Sequence, residues 1–215
     1  MMKKFIVIPV LLILFSVGLK AQHTLIFTNQ DILFQQGKEF FSEHNYAASS
    51  RSFEEYLKKA GSTQAGQIQE SKYYLAANAF ELRQDDALAQ LQNLLDLYPS
   101  IPFRDETNAM IGTLSFEKKD YVKALTYFNQ VKDERLGKRE RINFMFNKGY
   151  ACLESKNYKD ALPVFKELKE MDSRYKLSAT YYYAYTQYCL GNYAEALPDF
   201  LKLEDNPAYI NFVPY

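Results

Sequence analysis

Few residues of this chain have the types and spacing that catalysis or metal binding requires. The two histidines, His23 and His44, have no cysteine, aspartate or histidine partners at a metal-ligand spacing, so a solvated role fits both. The adjacent carboxylates Asp85 and Asp86 favour the start of a helix over acid–base catalysis. No glycine-rich phosphate loop, nucleophile elbow or paired-histidine motif occurs. The sequence therefore predicts no catalytic residue, no metal site and no cofactor.

Tyrosine is the residue type whose chemistry the sequence does favour, and it is concentrated in the C-terminal half. The chain has 18 tyrosines and 16 phenylalanines. A tyrosine ring offers a large, stiff contact surface with a polar tip, which suits recognition of other proteins. The composition therefore indicates binding, and regular elements must position the rings.

One spacing pattern occurs five times along the chain. Large apolar residues recur at intervals of 38, 37, 37 and 35, at Phe53, Leu91, Phe128, Phe165 and Phe200. Four positions earlier are the small residues Ser49, Ala87, Ala124, Ala161 and Ala196. Seven positions earlier are Tyr46, Gln84, Tyr121, Tyr158 and Tyr193, and sixteen positions earlier are Gly37, Leu75, Gly112, Gly149 and Ala184. Such a period predicts stacked helix pairs that bury their apolar faces against their neighbours.

Each period divides into two helices joined by a short polar turn, as at 144–154 and 158–171. Gly191 suits such a turn because glycine adopts a positive φ without steric cost. The predicted repeats cover 30–65, 66–103, 104–137, 138–173 and 174–207. The segment 208–215 is either the start of a further repeat or a truncated tail.

Two stretches, GYACLESKNYKDALPVFKEL at 149–168 and YAYTQYCLGNYAEALPDFLKL at 183–203, resemble tetratricopeptide repeats. They share that family's order of small residue, aromatic, turn, tyrosine, alanine and aromatic. The resemblance covers residues 30–207 and implies an all-α solenoid, a right-handed superhelix of about five helix-turn-helix repeats. The residues predicted to carry the repeat packing are Gly37, Phe53, Ala87, Leu91, Gly112, Ala124, Phe128, Gly149, Ala161, Phe165, Ala196 and Phe200.

The resemblance also implies where a partner binds. In tetratricopeptide proteins the first helix of each pair lines the concave face, which here selects Tyr73, Phe146, Asn147, Tyr150, Tyr181, Tyr182, Tyr185 and Tyr188 as groove candidates. The alternative for each ring is packing between adjacent first helices. Positions by which some family members grip a terminal carboxylate hold Phe34, Lys38, Tyr73 and Ala109, so that clamp is not expected. The expected partner is an extended or helical protein segment held by stacking and shape.

Residues 1–21 have the layout of a secretory signal peptide. Two lysines precede an apolar run at 5–19, and Ala21 is a plausible cleavage residue, with a second possible site at 16–18. The run contains Pro9 and falls short of the ~20 residues of a membrane-spanning helix, so a retained anchor is the alternative. No cysteine stands directly after the run, which argues against a lipid anchor. We expect export to the periplasm or outer envelope of a Gram-negative bacterium.

The charge balance excludes a nucleic-acid partner. The chain has 26 basic and 26 acidic residues, and removal of residues 1–21 leaves 23 against 26, a net charge of −3. The sequence thus predicts a non-catalytic scaffold that binds a protein or peptide. The alternatives are a component of outer-membrane protein assembly and a recruiting or regulatory domain of a larger exported protein. The apolar ending further predicts that this is the N-terminal part of a longer chain.

Overall fold

All regular secondary structure in the described part of the molecule is helical. The computed structural model describes residues 29–212, so the signal peptide predicted at 1–21 lies outside it. Between 29 and 212 no residue is in a β-strand, and the predicted all-α class is confirmed. The α-helices are α1 Asn29–Ser42, α2 Tyr46–Lys59, α3 Ala65–Glu81, α4 Ala87–Leu97, α5 Arg104–Glu117, α6 Tyr121–Phe128, α7 Lys138–Glu154, α8 Tyr158–Glu170, α9 Lys176–Cys189 and α10 Tyr193–Leu201.

These helices form five pairs that stack in chain order. Each helix packs against the next one, from α1 on α2 to α9 on α10. The first helices of successive pairs also contact one another, α1 with α3, α3 with α5, α5 with α7 and α7 with α9. The first helices therefore form one continuous layer of the stack, as the predicted α-solenoid requires.

Rings packed on small residues hold the two helices of a pair together. All twelve residues predicted to carry the repeat packing are buried. In three pairs the ring lies against a glycine, with Phe53 on Gly37, Phe128 on Gly112 and Phe165 on Gly149. A methyl group added at Gly37 would lie 2.8 Å from the ring of Phe53, closer than Cβ atoms approach other heavy atoms. The missing side chain therefore lets the two helices approach each other.

The second pair departs from the sequence register. Its small residue is Ala76, not Leu75, because Ala76 is buried in one cluster with Leu91. Only eight positions separate the turn residue Arg83 from Leu91, against nine between the corresponding residues of the other pairs. The second helix also begins later: α4 starts at Ala87, four residues after Arg83, whereas the other second helices start two residues after the left-handed residue. Gln84 therefore lies before the helix.

Each of the five turns within pairs has one residue in the left-handed region of φ. In every pair this residue lies seven positions after the small residue of the first helix. These residues are His44, Arg83, Lys119, Lys156 and Gly191, with φ between 56° and 82°. In the fourth turn the amide of Lys156 donates to the carbonyl of Leu153, and the amide of Asn157 donates to that of Cys152. The other four turns have the same two bonds, which close a Schellman motif. From the sequence, Gly191 alone was predicted to have this role.

The turn geometry predicts that Lys156→Gly stabilises the protein by about 0.5–1 kcal/mol, because lysine pays a steric cost at this φ that glycine does not. Urea unfolding followed by circular dichroism measures the change. Lys159→Gly, at an exposed helical position three residues later, is the matched control and should instead destabilise by up to about 1 kcal/mol. If both variants lowered the free energy of unfolding equally, the left-handed conformation assigned to Lys156 would be contradicted.

A buried ion pair joins the fourth and fifth pairs. Asp199 of α10 accepts hydrogen bonds from Lys169 of α8 at 2.5 Å and from Lys202 at 2.7 Å. The ammonium of Lys169 also lies 4.1 Å from the ring centre of Tyr183 on α9. Burial by itself raises the pKa of Asp199, but the hydrogen bonds and charges of the two lysines outweigh it and hold the pKa below its ordinary value.

This pair makes stability depend on pH. Since the pKa of Asp199 is lower in the folded state, its contribution is present above the unfolded value of about 3.9 and is lost as the pH falls through the folded value. We expect Asp199→Asn to lower the free energy of unfolding at pH 7, and the difference from wild type to shrink below about pH 4. Urea titrations across this pH range test it. If the difference in free energy of unfolding between wild type and Asp199→Asn did not vary with pH, the proposed contribution of the Asp199 carboxylate would be contradicted.

Candidate functional site

Aromatic side chains on the first helices connect successive pairs. Phe116 of α5 and Tyr150 of α7 have ring centroids 5.8 Å apart, and Tyr150 lies 5.3 Å from Tyr182 of α9. A second contact stacks Phe146 on Tyr175 at 4.1 Å. These rings therefore fix the spacing of the pairs in addition to lining the layer of first helices.

Tyr73 is a core residue rather than a groove residue, which corrects the sequence prediction. It is 7% exposed and stacks on Phe103 with ring centroids 4.1 Å apart. Burial raises its pKa far above the ordinary value for tyrosine. Phe103, the residue before α5, covers the ring, and its place in the next pair could not be inferred from the repeat columns.

Four further candidates are half-buried between α5, α7 and α9. Tyr182 contacts three rings of other helices, those of Phe165, Tyr150 and Phe146, at centroid distances of 5.3, 5.3 and 6.1 Å. Asn147 donates a hydrogen bond to the hydroxyl of Thr113. These four residues, Phe146, Asn147, Tyr150 and Tyr182, therefore pack between adjacent first helices, which is the alternative to a free groove surface.

The remaining candidates lie on α9, and two of them are exposed. Tyr185 and Tyr188 are 37% and 46% exposed, and the ring of Tyr181 stacks on that of Tyr185 at 6.2 Å. Tyr188 instead contacts Tyr193 of α10. The structure therefore brings Tyr181, Tyr182 and Tyr185 together and separates them from Tyr73.

A cavity of about 360 Å³ opens beside these three tyrosines, and we call it the tyrosine groove. Its lining consists of Leu153, Glu154, Tyr181, Tyr182, Tyr185, Ala208, Tyr209 and Phe212. The segment after α10 forms one wall. The ring of Tyr209 lies 5.6 Å from that of Tyr181, and its hydroxyl lies 2.9 Å from the hydroxyl of Ser178. The repeat pattern of the sequence does not indicate this wall or the contribution of Leu153 and Glu154.

A repeated aromatic pairing was the signal that could have located the wall. In two pairs, the residue three positions before the small residue is a ring that stacks on another ring further along the chain. These contacts are Tyr73 on Phe103 and Phe146 on Tyr175. Phe103 and Tyr175 each directly precede the next first helix. Tyr181 and Tyr209 continue the arrangement, so the segment after α10 follows the stacking register of the solenoid. Whether it begins a further repeat stays a prediction.

Hydroxyl groups and one carboxylate give the groove its polar character. Burial raises the pKa of Tyr150, and a hydrogen bond to Glu154 raises it further. A hydrogen bond to Cys189 raises the pKa of Tyr185, and burial raises that of Tyr181. The hydroxyls of Tyr181 and Tyr185, which line the groove, are therefore neutral at physiological pH, whereas Tyr150 lies outside the lining and is hydrogen-bonded to Glu154. Glu154 is the charged member of the lining.

His44, Asp85 and Asp86, which were considered for catalysis and metal binding, lie apart from the groove, and His23 lies outside the described residues. His44 is exposed in the turn after α1. Asp86 precedes α4 and accepts a hydrogen bond from Gln90. In the part of the chain that the structure describes, no three histidine, cysteine, aspartate or glutamate side chains are grouped so that they could hold a metal ion. None of the helices between residues 29 and 212 is long and apolar enough to cross a membrane.

Comparison with known proteins gives matches in structure but not in sequence. No protein-family model matches the chain, and no curated protein sequence matches it. A structure of MamA from AMB-1 is similar over 82% of this chain and 97% of its own, with 16% identity and a TM-score of 0.60. The C-terminal part of a TPR repeat-containing protein from Cytophaga hutchinsonii is similar over 84% of this chain and 68% of its own, with 18% identity and a TM-score of 0.57.

A third similar structure contains a bound peptide. The Rap conjugation gene regulator of plasmid pLS20, solved in complex with the Phr* peptide, is similar over 86% of this chain and 55% of its own, with 16% identity and a TM-score of 0.50. At these identities the likeness concerns the fold alone. The chain has the α-solenoid fold of tetratricopeptide-repeat proteins.

Proposed function

We propose that the protein is a non-catalytic interaction scaffold of the bacterial periplasm or cell envelope, which binds a segment of a protein partner in the tyrosine groove. The observation that carries the proposal is the groove itself. Stacked tyrosine rings and one carboxylate border an open cavity of about 360 Å³ on the layer of first helices. A cavity of this size admits an anchoring side chain of a peptide, and aromatic residues dominate such contacts.

The chemistry of the lining selects the kind of segment. The rings of Tyr181 and Tyr185 favour an apolar or aromatic anchor, since rings stack on one another at modest entropic cost. Glu154 adds a negative charge at the same cavity. A partner segment with an apolar or aromatic side chain next to lysine or arginine would therefore contact both the tyrosine rings and the carboxylate of Glu154. Binding of such a segment should weaken with added salt.

Two further observations support the proposal. The peptide complex of the Rap regulator, a protein of similar fold, gives a precedent for peptide binding by such a solenoid. The signal-peptide layout of residues 1–21 supports export. If cleavage follows Ala21, N-terminal sequencing of the protein from a native envelope fraction should begin at Gln22. Detection of Met1 would contradict cleavage.

A phage-displayed peptide library selected on the purified protein tests the groove. We expect enrichment of peptides with an aromatic residue beside lysine or arginine, and at least about tenfold weaker binding of these peptides to Tyr185→Ala, as for a typical hot spot. Val122→Ala is the matched control, because Val122 is 77% exposed on α6 and lies outside the groove. Selected peptides that bind Tyr185→Ala as tightly as wild type would contradict the site.

A further inference from the structure

A second cavity lies between the fourth and fifth pairs, apart from the tyrosine groove. Its volume is about 400 Å³, and we call it the basic pocket. Residues 138–143 begin α7, and residues 173 and 174 lie in the connection before α9. Three of the six lining side chains are cationic, and among the described residues no carboxylate belongs to the lining. The lining consists of Lys138, Arg139, Ile142, Asn143, Ser173 and Arg174.

The positive charge of the basic pocket is not neutralised by the described chain. Between residues 29 and 212, Lys138, Arg139 and Arg174 form no ion pair with a carboxylate. Arg139 contacts a ring nitrogen of His44 instead. By contrast Arg141, also on α7, is paired with two carboxylates. An uncompensated cluster of cations raises the local concentration of anions, so this cavity favours an anionic group.

Arg174 is held in place and keeps free donors. Its Nη2 donates to Oδ1 of Asn143 at 3.0 Å and to the hydroxyl of Tyr175 at 2.6 Å. The guanidinium also lies 4.7 Å from the ring centre of Tyr175, and that ring stacks on Phe146. Arginine has five N–H donors, and those on Nε and Nη1 have no hydrogen-bond partner among residues 29–212. A guanidinium that is fixed in this way can bind an oxyanion without a large entropic cost.

The size and position of the basic pocket favour a protein segment over a small anion. Its volume is within the range of about 300–1,000 Å³ that is usual for ligand pockets, so it exceeds what one small anion fills. Asn143 and Ser173 add neutral hydrogen-bonding groups, and Ile142 adds an apolar wall. Asn143 and Glu154 of the tyrosine groove are eleven residues apart on α7, which places them on one face and about 16 Å apart. A segment seated in the basic pocket can therefore continue along α7.

We propose that the basic pocket binds the carboxylate of an aspartate or glutamate side chain in a segment of a protein partner. The inference rests on the proposed binding of a protein segment and adds the charge that this segment carries. Lys138 and Arg174 supply the opposite charge. Where the same segment also reaches Glu154, it needs a basic residue at that end, so the two charges fix its direction on α7.

Peptides from the phage-displayed library test the proposal when those that also bind Lys138→Glu are removed. We expect the remaining peptides to be enriched in aspartate and glutamate. They should bind Lys138→Glu and Arg174→Glu at least about tenfold more weakly than wild type, as the loss of a charge-assisted hydrogen bond implies. Since α7 begins at Lys138, a glutamate there suits the helix start and should leave the circular dichroism unchanged.

Lys166→Glu is the matched control. Lys166 is exposed on α8 and lies outside both cavities, so the same change of charge should leave peptide binding as in wild type. A charge exchange gives the sharpest result. Replacing the acidic residue of a selected peptide by lysine should weaken its binding to wild type and restore its binding to Lys138→Glu.

Three outcomes would overturn the proposal. The first is a set of selected peptides without enrichment in acidic residues. The second is peptide binding that Lys138→Glu and Arg174→Glu leave unchanged, and if inorganic phosphate then bound wild type but not these variants, the pocket would be a site for small anions. The third is an equal loss in Lys166→Glu, which would indicate a general effect of charge. The tyrosine groove is tested separately, because Tyr185→Ala should not change the preference for acidic residues.

Discussion

Phe128→Ala is expected to lower the free energy of unfolding by about 3–5 kcal/mol, the usual cost of removing a fully buried ring. The ring packs on Gly112 of the same pair and lies 5.3 Å from Phe144 of the next pair. Its removal therefore opens a cavity within one pair and weakens the contact with its neighbour. Since stability in a solenoid comes from such neighbour contacts, the loss should lower the cooperativity of unfolding as well. Urea unfolding followed by circular dichroism measures both.

Val122→Ala provides the comparison within the same helix. Val122 is 77% exposed on α6, so its truncation should change the free energy of unfolding by less than about 0.5 kcal/mol. If Phe128→Ala cost no more than Val122→Ala, the ring would not join the pairs as described.

Tyr182→Ala is expected to cost roughly 2–4 kcal/mol, whereas Tyr185→Ala should cost less than about 1 kcal/mol. Tyr182 packs on Phe165 and on two rings of α7, while Tyr185 has one ring neighbour among the described residues and is 37% exposed. The two positions, three residues apart on α9, therefore separate packing from binding. Thermal and urea unfolding of the two variants measure the difference.

Tyr182→Phe is the control that separates the ring from its hydroxyl. It keeps every ring contact and removes only the hydrogen bond between the hydroxyls of Tyr182 and Tyr150, so a loss of about 1 kcal/mol or less is expected. Equal destabilisation by the alanine variants of Tyr182 and Tyr185 would show that both rings are structural, and would remove the basis for assigning Tyr185 to the groove.

The helix pairs could be predicted from sequence because their packing is periodic. A ring and a small residue must recur at fixed positions, and the columns containing Phe128 and Gly112 show this directly. The second pair was placed one residue out of register at Leu75, because the shorter connection before Leu91 is visible only when the left-handed residue Arg83 is known. Four of the five left-handed turn residues are not glycine, so residue type alone did not identify them.

The candidate site was less predictable, because burial depends on what the neighbouring pair contributes. Tyr73 and Tyr185 are both tyrosines on first helices, yet Phe103 covers the first, and within residues 29–212 no equivalent ring covers the second. The wall formed by Tyr209 and Phe212 lies outside the five repeats, so the columns carried no information about it. Repeat spacing could therefore indicate the helix, but not which of its rings face solvent.

A double-mutant cycle between Gly112 and Phe128 tests most directly the claim that rings packed on small residues build this solenoid. Gly112→Ala alone and Phe128→Leu alone should each lower the free energy of unfolding by about 1–2 kcal/mol. We expect no larger loss for Gly112→Ala, because the fifth pair already has an alanine, Ala184, at the same position. Together they recreate the alanine and leucine of the second pair, Ala76 and Leu91. We predict that the double variant is at least about 1 kcal/mol more stable than the sum of the single losses implies. Additive losses would contradict the claim.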